Sequence, residues 1–276
     1  ALSWLLSWVV LLGTLVALRS PAGPRHLGHG VIALLAGLLP AWALHSGLAA
    51  TAAAPAWAFV QWGAVPALFA FLITLRRVTQ LPFSLDPVGW NQGIVALGAW
   101  LMAWMLAAVL HPGAAAPLPW LPLLNPVELA QWLVLLVLVR LRERLELSAD
   151  LRSALLPALA GLTFVVLSAM VARSVHQLTD AVWTANGLFN SDLLQTLLAL
   201  LWTVIACGAM ALGHRTARRV IWIAGATLLV VVVVKLFAVD LAGSGALPRI
   251  VSFLGVGGLV LVIGYFNPLP PKAQAS

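Results

Sequence analysis

Long apolar runs separated by short polar or basic linkers dominate the chain. A run of about 18 or more apolar residues predicts a transmembrane helix, because that length crosses a hydrocarbon core about 30 Å thick. Such runs occur at residues 2–18, 31–50, 56–75, 93–110, 127–144, 154–173, 193–212, 220–240 and 249–266. The pattern predicts an all-α, polytopic transmembrane helix bundle of about nine spans, and we expect residues 1–276 to form a single domain.

Basic residues mark one side of the predicted bundle. Twelve of the fifteen lysines and arginines follow odd-numbered spans: Arg19, Arg25, Arg76, Arg77, Arg140, Arg142, Arg144, Arg152, Arg215, Arg218, Arg219 and Lys272. The positive-inside rule makes that side cytoplasmic, which places the N-terminus outside and the C-terminus inside. A chain that starts outside and enters the membrane at once is unusual for a complete protein. We therefore expect the sequence to be the C-terminal portion of a longer membrane protein.

The amino-acid composition indicates whether water or lipid surrounds the protein. The chain is 62% hydrophobic and 8% charged, whereas soluble domains carry about 25% charged residues. Most of the surface must therefore face lipid. The net charge of +7 does not indicate nucleic acid, because the basic residues lie between apolar runs rather than on a solvated face. The alanine-, leucine- and arginine-rich composition indicates a high-GC bacterium, so we expect the bacterial cytoplasmic (inner) membrane.

Three basic residues depart from the topological pattern, namely Arg173, Lys235 and Arg249. Lys235 lies about 22 Å along its predicted span, in the outer third of the bilayer. It either snorkels to the outer headgroups or forms a buried pair with an acid or an anionic ligand. Asp240 lies on a different helical face from Lys235, and a pair between Asp240 and Arg249 that closes a hairpin is the favoured interpretation.

A polar group is predicted at the outer ends of spans six, eight and nine. Arg173 and His176 are three residues apart and share a helical face, and Asp180 follows them. With Lys235, Asp240 and Arg249, these residues could bind a phosphate, a carboxylate or a lipid headgroup. Proton transfer between His176 and Asp180 is the weaker alternative. No phosphate-binding loop, haem motif or zinc motif is present in the sequence, so we expect neither cofactor nor metal.

Two further stretches carry structural predictions. The linker 111–126 contains five prolines and cannot form a continuous helix, and its tryptophan indicates a position at the membrane interface. The stripe Ala99, Ala103 and Ala107 has a spacing of four, which is typical of helices that approach closely in lipid.

Several strings carry a family resemblance. They are Asn125-Pro-Val-Glu-Leu129, Val234-Lys-Leu-Phe-Ala-Val-Asp-Leu241 and Leu247-Pro-Arg-Ile-Val-Ser-Phe-Leu-Gly255. The chain resembles the C-terminal part of the predicted bacterial membrane proteins grouped as domain of unknown function 2339. The resemblance implies a longer protein with more spans, and it implies no reaction.

Two classes of function fit these observations. The first is a non-enzymatic transport, lipid- or glycan-handling or scaffold component of the cell envelope, with the lipid bilayer, an anionic lipid or glycan and other membrane subunits as partners. The alternative is a membrane-embedded enzyme that modifies envelope glycans or lipids at an outward-facing site. The sequence favours the first class, because no catalytic motif accompanies the spans.

Overall fold

All regular secondary structure in the described part of the chain is helical. The computed structural model describes residues 25–49, 55–75, 87–114, 116 and 118–236, and the isolated positions 250, 254, 257, 258 and 261. The helices are α1 (Arg25–Ala49), α2 (Pro55–Leu75), α3 (Pro87–Val109), α4 (Pro126–Arg144), α5 (Ala149–Leu178), α6 (Ala185–Phe189), α7 (Asp192–Arg215) and α8 (Arg219–Lys235). No strand occurs among these residues, and the predicted all-α class is confirmed.

Five helices are long and apolar enough to cross a membrane. These segments are Gly28–Gly47, Ala56–Leu75, Val88–Val109, Ala149–Leu178 and Asp192–Arg215. They correspond to the second, third, fourth, sixth and seventh predicted spans. The sixth is longer than predicted, since α5 has 30 residues. At 1.5 Å per residue it measures about 45 Å, which exceeds the hydrocarbon thickness.

The other four predicted spans are not among these five segments. α4 covers the fifth span, but Arg140, Arg142 and Arg144 occupy its last turns. α8 begins the eighth span and is 17 residues long, ending at Lys235. The first span, and all but a few positions of the ninth, lie outside the described residues. The count of nine spans and the direction of the termini therefore remain predictions.

The start of α4 shows how the proline-rich linker is held. Asn125 is the N-cap, and its side chain accepts a hydrogen bond from the Val127 amide at 3.0 Å. The same side chain donates to the Gly113 carbonyl at 2.8 Å. Gly113 has φ 84°, a left-handed conformation that favours glycine. The described residues between α3 and α4 form turns and bends rather than a continuous helix, as predicted. The Asn125 side chain connects the beginning of this linker, at Gly113, to the start of α4, at Val127.

The chain divides into two compact units, Ala1–Met170 and Val171–Ser276, and the boundary falls inside α5. In the first unit, α1 packs on α2 and α3, and α2 also packs on α4. Its core includes the fully buried side chains Leu97, Leu101, Met105, Val134 and Val137. Burial of these large apolar groups leaves the opposite faces of α3 and α4 available to lipid.

Close packing in the first unit depends on glycine where α1 crosses α3. A Cβ atom at Gly93 would collide with the Gly30 carbonyl oxygen and with the Ala33 Cβ. Small residues allow two backbones to approach in this way in lipid. The predicted stripe of Ala99, Ala103 and Ala107 is not at this crossing, because it lies on another face of α3. All three alanines are exposed in the described structure, and the packing prediction for that stripe stays a prediction.

In the second unit, α7 and α8 form a helical hairpin. The short turn between them contains Ala217 with φ 53°. A Cβ at Gly213 would collide with Trp222, and a Cβ at Gly225 would press on the Ala206 carbonyl. Two glycines, one on each helix, therefore allow the hairpin to close tightly.

Candidate functional site

The predicted polar residues of α5 occupy different environments near the end of that helix. Arg173 is fully buried and takes part in bonding within the protein. His176 is half-buried, its Nδ1 lies 2.7 Å from the Ala181 carbonyl, and its ring lies 5.5 Å from that of Trp183. Asp180 is exposed. The Ala181 carbonyl, rather than the Asp180 carboxylate, thus receives the His176 Nδ1 hydrogen.

Lys235 links the two helices of the hairpin. Its Nζ donates a hydrogen bond of 3.0 Å to the Gln195 carbonyl in the first turn of α7. The side chain is half-buried and makes a further interaction within the protein. The described partner is a backbone carbonyl and not an acid, so the pairing of Lys235 with an acid or an anionic ligand stays a prediction.

The remaining predicted site residues, Asp240 and Arg249, lie outside the described residues, as does their predicted ion pair. Among the residues that the structure does describe, His176 contacts the segment that follows α5, whereas Lys235 contacts α7. These contacts do not join the two side chains into one pocket. No group of three or more potential metal ligands occurs in the described part of the chain.

A pocket lined by aromatic rings lies in the first unit, between α2 and α3. Its volume is about 370 Å³. The lining residues, which we call the aromatic pocket, are Phe59, Trp62, Trp100, Ala103, Trp104 and Ala107. Ligand pockets in proteins range from about 300 to 1,000 Å³, so the aromatic pocket is large enough for part of a small molecule or a lipid chain.

Ring contacts hold the walls of this pocket in place. The ring of Phe59 stacks on that of Trp104 at 5.3 Å and on that of His111 at 4.8 Å. Trp62 lies at tilted angles to Trp100 and His45, with centroid distances of 6.0 and 5.7 Å. Such aromatic pairs stabilise by about 0.5–1.5 kcal/mol beyond simple burial. These ring contacts are made within the protein and involve no ligand.

Two indole groups also bond to the backbone of α2. Trp100 Nε1 donates to the Trp62 carbonyl at 3.0 Å, and Trp104 Nε1 donates to the Phe59 carbonyl at 3.1 Å. The Trp62 carbonyl would normally accept from the amide of residue 66. That residue is Pro66, which lies inside α2 and has no N–H. The Trp100 indole supplies the missing donor.

A second feature of α2 lets Trp104 reach the helix. A Cβ at Gly63 would collide with the Trp104 indole ring. Glycine at this position therefore allows the ring to lie directly against the α2 backbone. Together, Gly63 and Pro66 explain why two tryptophans of α3 dock on this one segment of α2.

A histidine and a glutamine form a polar contact beside the pocket. Gln61 Nε2 donates to the Ala58 carbonyl at 3.0 Å, and it lies 3.0 Å from His45 Nδ1. The His45 Nδ1 atom also lies 3.3 Å from the Ala58 carbonyl oxygen, so His45, Gln61 and Ala58 form one polar cluster.

The aromatic pocket was not predicted from the sequence. Its signal was the spacing of four between Trp100 and Trp104, together with a proline four residues after Trp62. The first pattern places two indoles on one face of α3, and the second leaves one carbonyl of α2 without its amide partner. Neither pattern shows that the two faces meet, because that depends on the packing of α2 and α3.

The described helices indicate the class of protein to which the chain belongs. Five described helices can cross a membrane, and much of their apolar surface is exposed. Lipid is the solvent in which such a surface is stable, so the chain is an integral membrane protein.

The family follows from sequence comparison. The family described as "Predicted membrane protein (DUF2339)" matches residues 1–270. The chain therefore belongs to this family, and the resemblance noted for its second half covers nearly its full length. No curated protein and no solved structure matches the chain.

Proposed function

We propose that the chain is a non-enzymatic, lipid-handling component of the bacterial cytoplasmic membrane, and that the aromatic pocket binds the apolar chain of an envelope lipid. The observation that carries the proposal is the preformed pocket itself, whose rings are held by stacking and by indole bonds to α2. A pocket that is ordered in advance loses little conformational entropy when a ligand binds.

The chemistry of the lining supports an apolar ligand. None of its six side chains is ionisable, and the two indole N–H groups that point to α2 are already bonded. A glycan would need several polar partners to replace its bonds to water. An acyl or prenyl chain needs none. The same lining offers no acid, base or nucleophile, which supports binding rather than reaction at this pocket.

The predicted topology gives the pocket a place in the bilayer. With nine spans, an outside N-terminus and a cytoplasmic C-terminus, the start of α2 and the end of α3 face outwards. Phe59 and Ala107 would then lie near the outer interface, where tryptophan and tyrosine side chains are enriched. The pocket would open to the outer leaflet, on the same side as Arg173, His176, Asp180, Lys235, Asp240 and Arg249. We propose that these polar residues serve the headgroup side of the membrane.

The test is photo-crosslinking of the full chain in lipid nanodiscs. A phospholipid with a photoactivatable group on its acyl chain is incorporated, and the labelled residues are mapped by mass spectrometry. Labelling should concentrate on the residues that line the aromatic pocket. Ala103→Phe and Ala107→Phe fill the pocket and should reduce that labelling about tenfold, equivalent to about 1.4 kcal/mol of binding free energy.

The matched control is Ala96→Phe. Ala96 is exposed on α3 and does not line the pocket. It lies seven residues before Ala103, which places it on the same helical face about 10 Å away. Unchanged labelling in this variant shows that the loss is specific. Equal labelling in all three variants, or uniform labelling of lipid-facing residues in the wild type, would contradict the proposal.

A further inference from the structure

A second groove in the first unit lies among α3, α4 and the first half of α5. Its volume is about 210 Å³. The lining residues, which we call the leucine groove, are Ile94, Val95, Gly98, Ala99, Met102, Leu138, Leu141, Arg142, Leu145, Leu147, Leu151, Leu155 and Leu159. Arg142 is the one polar side chain among the described lining residues, so a fitting occupant combines an apolar body with a group that suits a guanidinium.

Arg142 is positioned by the turn between α4 and α5. Its Nε donates to the Arg152 carbonyl at 3.0 Å, and an Arg152 Nη donates to the Leu145 carbonyl at 2.9 Å. These two bonds tie the end of α4 to the first turn of α5. The Arg142 side chain is therefore held at the groove rather than free to sample the solvent.

Among the residues that the structure describes, Arg142 uses only a small part of its donor capacity. A guanidinium has five N–H donors, and only the Nε donor is bonded among the residues that the structure describes. The remaining four N–H groups form the planar fork that binds phosphate in a bidentate manner. Arg142 is only half-exposed, so an anion bound there would be partly shielded from water.

The other charged residues of the segment around Arg142 do not line the groove. Residues 140–152 contain four arginines and three acids, and Glu143, Glu146 and Asp150 are all exposed. The segment is therefore only weakly basic as a whole. Arg142 is distinguished by its position in the groove lining, next to apolar side chains that a lipid tail can cover.

We propose that the leucine groove binds an anionic phospholipid, with an acyl chain against the leucines and the phosphate on Arg142. Basic residues at pockets between transmembrane helices on the cytoplasmic side suit anionic headgroups, and the predicted topology places the turn between α4 and α5 on that side. The proposal is independent of the aromatic pocket, which shares none of its lining residues with the leucine groove.

The experiment is native mass spectrometry of the purified full chain in detergent. Phosphatidylglycerol and phosphatidylcholine with identical acyl chains are added in equal amounts, and the ratio of the two retained lipids is measured. The wild type should retain phosphatidylglycerol in preference, by about fivefold, which corresponds to about 1 kcal/mol. Arg142→Gln should bring the ratio close to one, and Arg142→Lys should keep part of the preference.

Two variants separate the charge from the groove. Arg140→Gln removes an equal charge two positions earlier, on a different face of α4 and outside the groove lining, and should leave the ratio unchanged. Ala99→Phe fills the groove without altering any charge and should reduce retention of both lipids. If Arg142→Gln lowers the thermal stability of the protein, the Ala99→Phe variant still tests whether the groove holds a lipid.

Other outcomes would overturn the proposal. If Arg140→Gln and Arg142→Gln lower the ratio of phosphatidylglycerol to phosphatidylcholine equally, the preference arises from general attraction of anionic lipid to the basic surface. Displacement of the lipid by millimolar inorganic phosphate would indicate a site for a free anion. Full lipid retention in Ala99→Phe would show that the groove holds no acyl chain, as expected if a protein segment or a second copy of the chain covers it.

Discussion

At the scale of single residues, Pro66 and Trp100 act as a pair. Pro66 removes the amide that would bond to the Trp62 carbonyl, and Trp100 Nε1 donates to that carbonyl instead. In the hydrocarbon region no water competes for an unpaired carbonyl, so the replacement donor has to come from the protein. Trp100 is thus both a wall of the aromatic pocket and a backbone partner of α2.

Trp100→Phe should lower the free energy of unfolding by about 1–2 kcal/mol, because it leaves the Trp62 carbonyl without a donor. The loss should be smaller in a Pro66→Ala background, where the new amide can bond to this carbonyl. Denaturant unfolding of the four proteins in a double-mutant cycle measures this coupling.

The control for this cycle is Trp42→Phe. Trp42 and Trp100 have the same exposed fraction, 38%, so both substitutions remove an indole that is exposed to the same extent. An equal loss from the two substitutions, or an unchanged loss in the Pro66→Ala background, would show that the indole bond to Trp62 is unimportant.

At the scale of helices, the crossing of α1 and α3 depends on the absence of side chains. Gly30 and Gly93 bring the two backbones together, and any Cβ at Gly93 meets the α1 backbone. Such backbone obstacles cannot move aside as a flexible side chain can. The crossing also sets the position of α3, which lines both the aromatic pocket and the leucine groove.

Gly93→Ala should destabilise the protein by about 1–3 kcal/mol through overpacking. Gly98→Ala on the same helix should be neutral or slightly stabilising, since its Cβ would make only an ordinary contact at 3.6 Å with Leu141. Thermal unfolding in a common detergent compares them. Equal effects of the two alanines would rule out a close crossing at Gly93.

Sequence reasoning succeeds for the helices because membrane spans are local features. An apolar run of sufficient length predicts a helix wherever it packs, and the runs of α1, α2, α3, α5 and α7 all appear as candidate spans. The ends of spans are less local. α5 continues past the predicted end at residue 173 to Leu178, because polar residues such as His176 are compatible with a helix that leaves the hydrocarbon.

Sequence reasoning is less effective for the sites, because their contacts join distant parts of the chain. Lys235 was recognised as unusual, but its partner Gln195 lies forty residues earlier and contributes a carbonyl that any residue could supply. Trp62 and Trp100 are similarly far apart. The sequence shows which residues are costly in lipid, and only the packing of helices shows what satisfies them.

At the scale of the first unit, α3 connects two grooves. Its second half lines the aromatic pocket from Trp100 to Ala107, and its earlier part lines the leucine groove from Ile94 to Met102. The predicted orientation assigns the first to the outer leaflet and the second to the cytoplasmic leaflet. Both assignments therefore depend on the direction in which α5 and its neighbours cross the membrane.

Cysteine accessibility across α5 tests this orientation most directly. Glu146 and Asn186 are exposed and lie on either side of α5. Glu146→Cys and Asn186→Cys are made separately in a Cys207→Ser background, which removes the single native cysteine. With a membrane-impermeant maleimide, the account predicts that intact cells are labelled only in the Asn186→Cys protein, and that the Glu146→Cys protein is labelled only after permeabilisation. The reverse pattern would contradict the orientation, and labelling of both cysteines from one side would show that α5 does not cross the membrane.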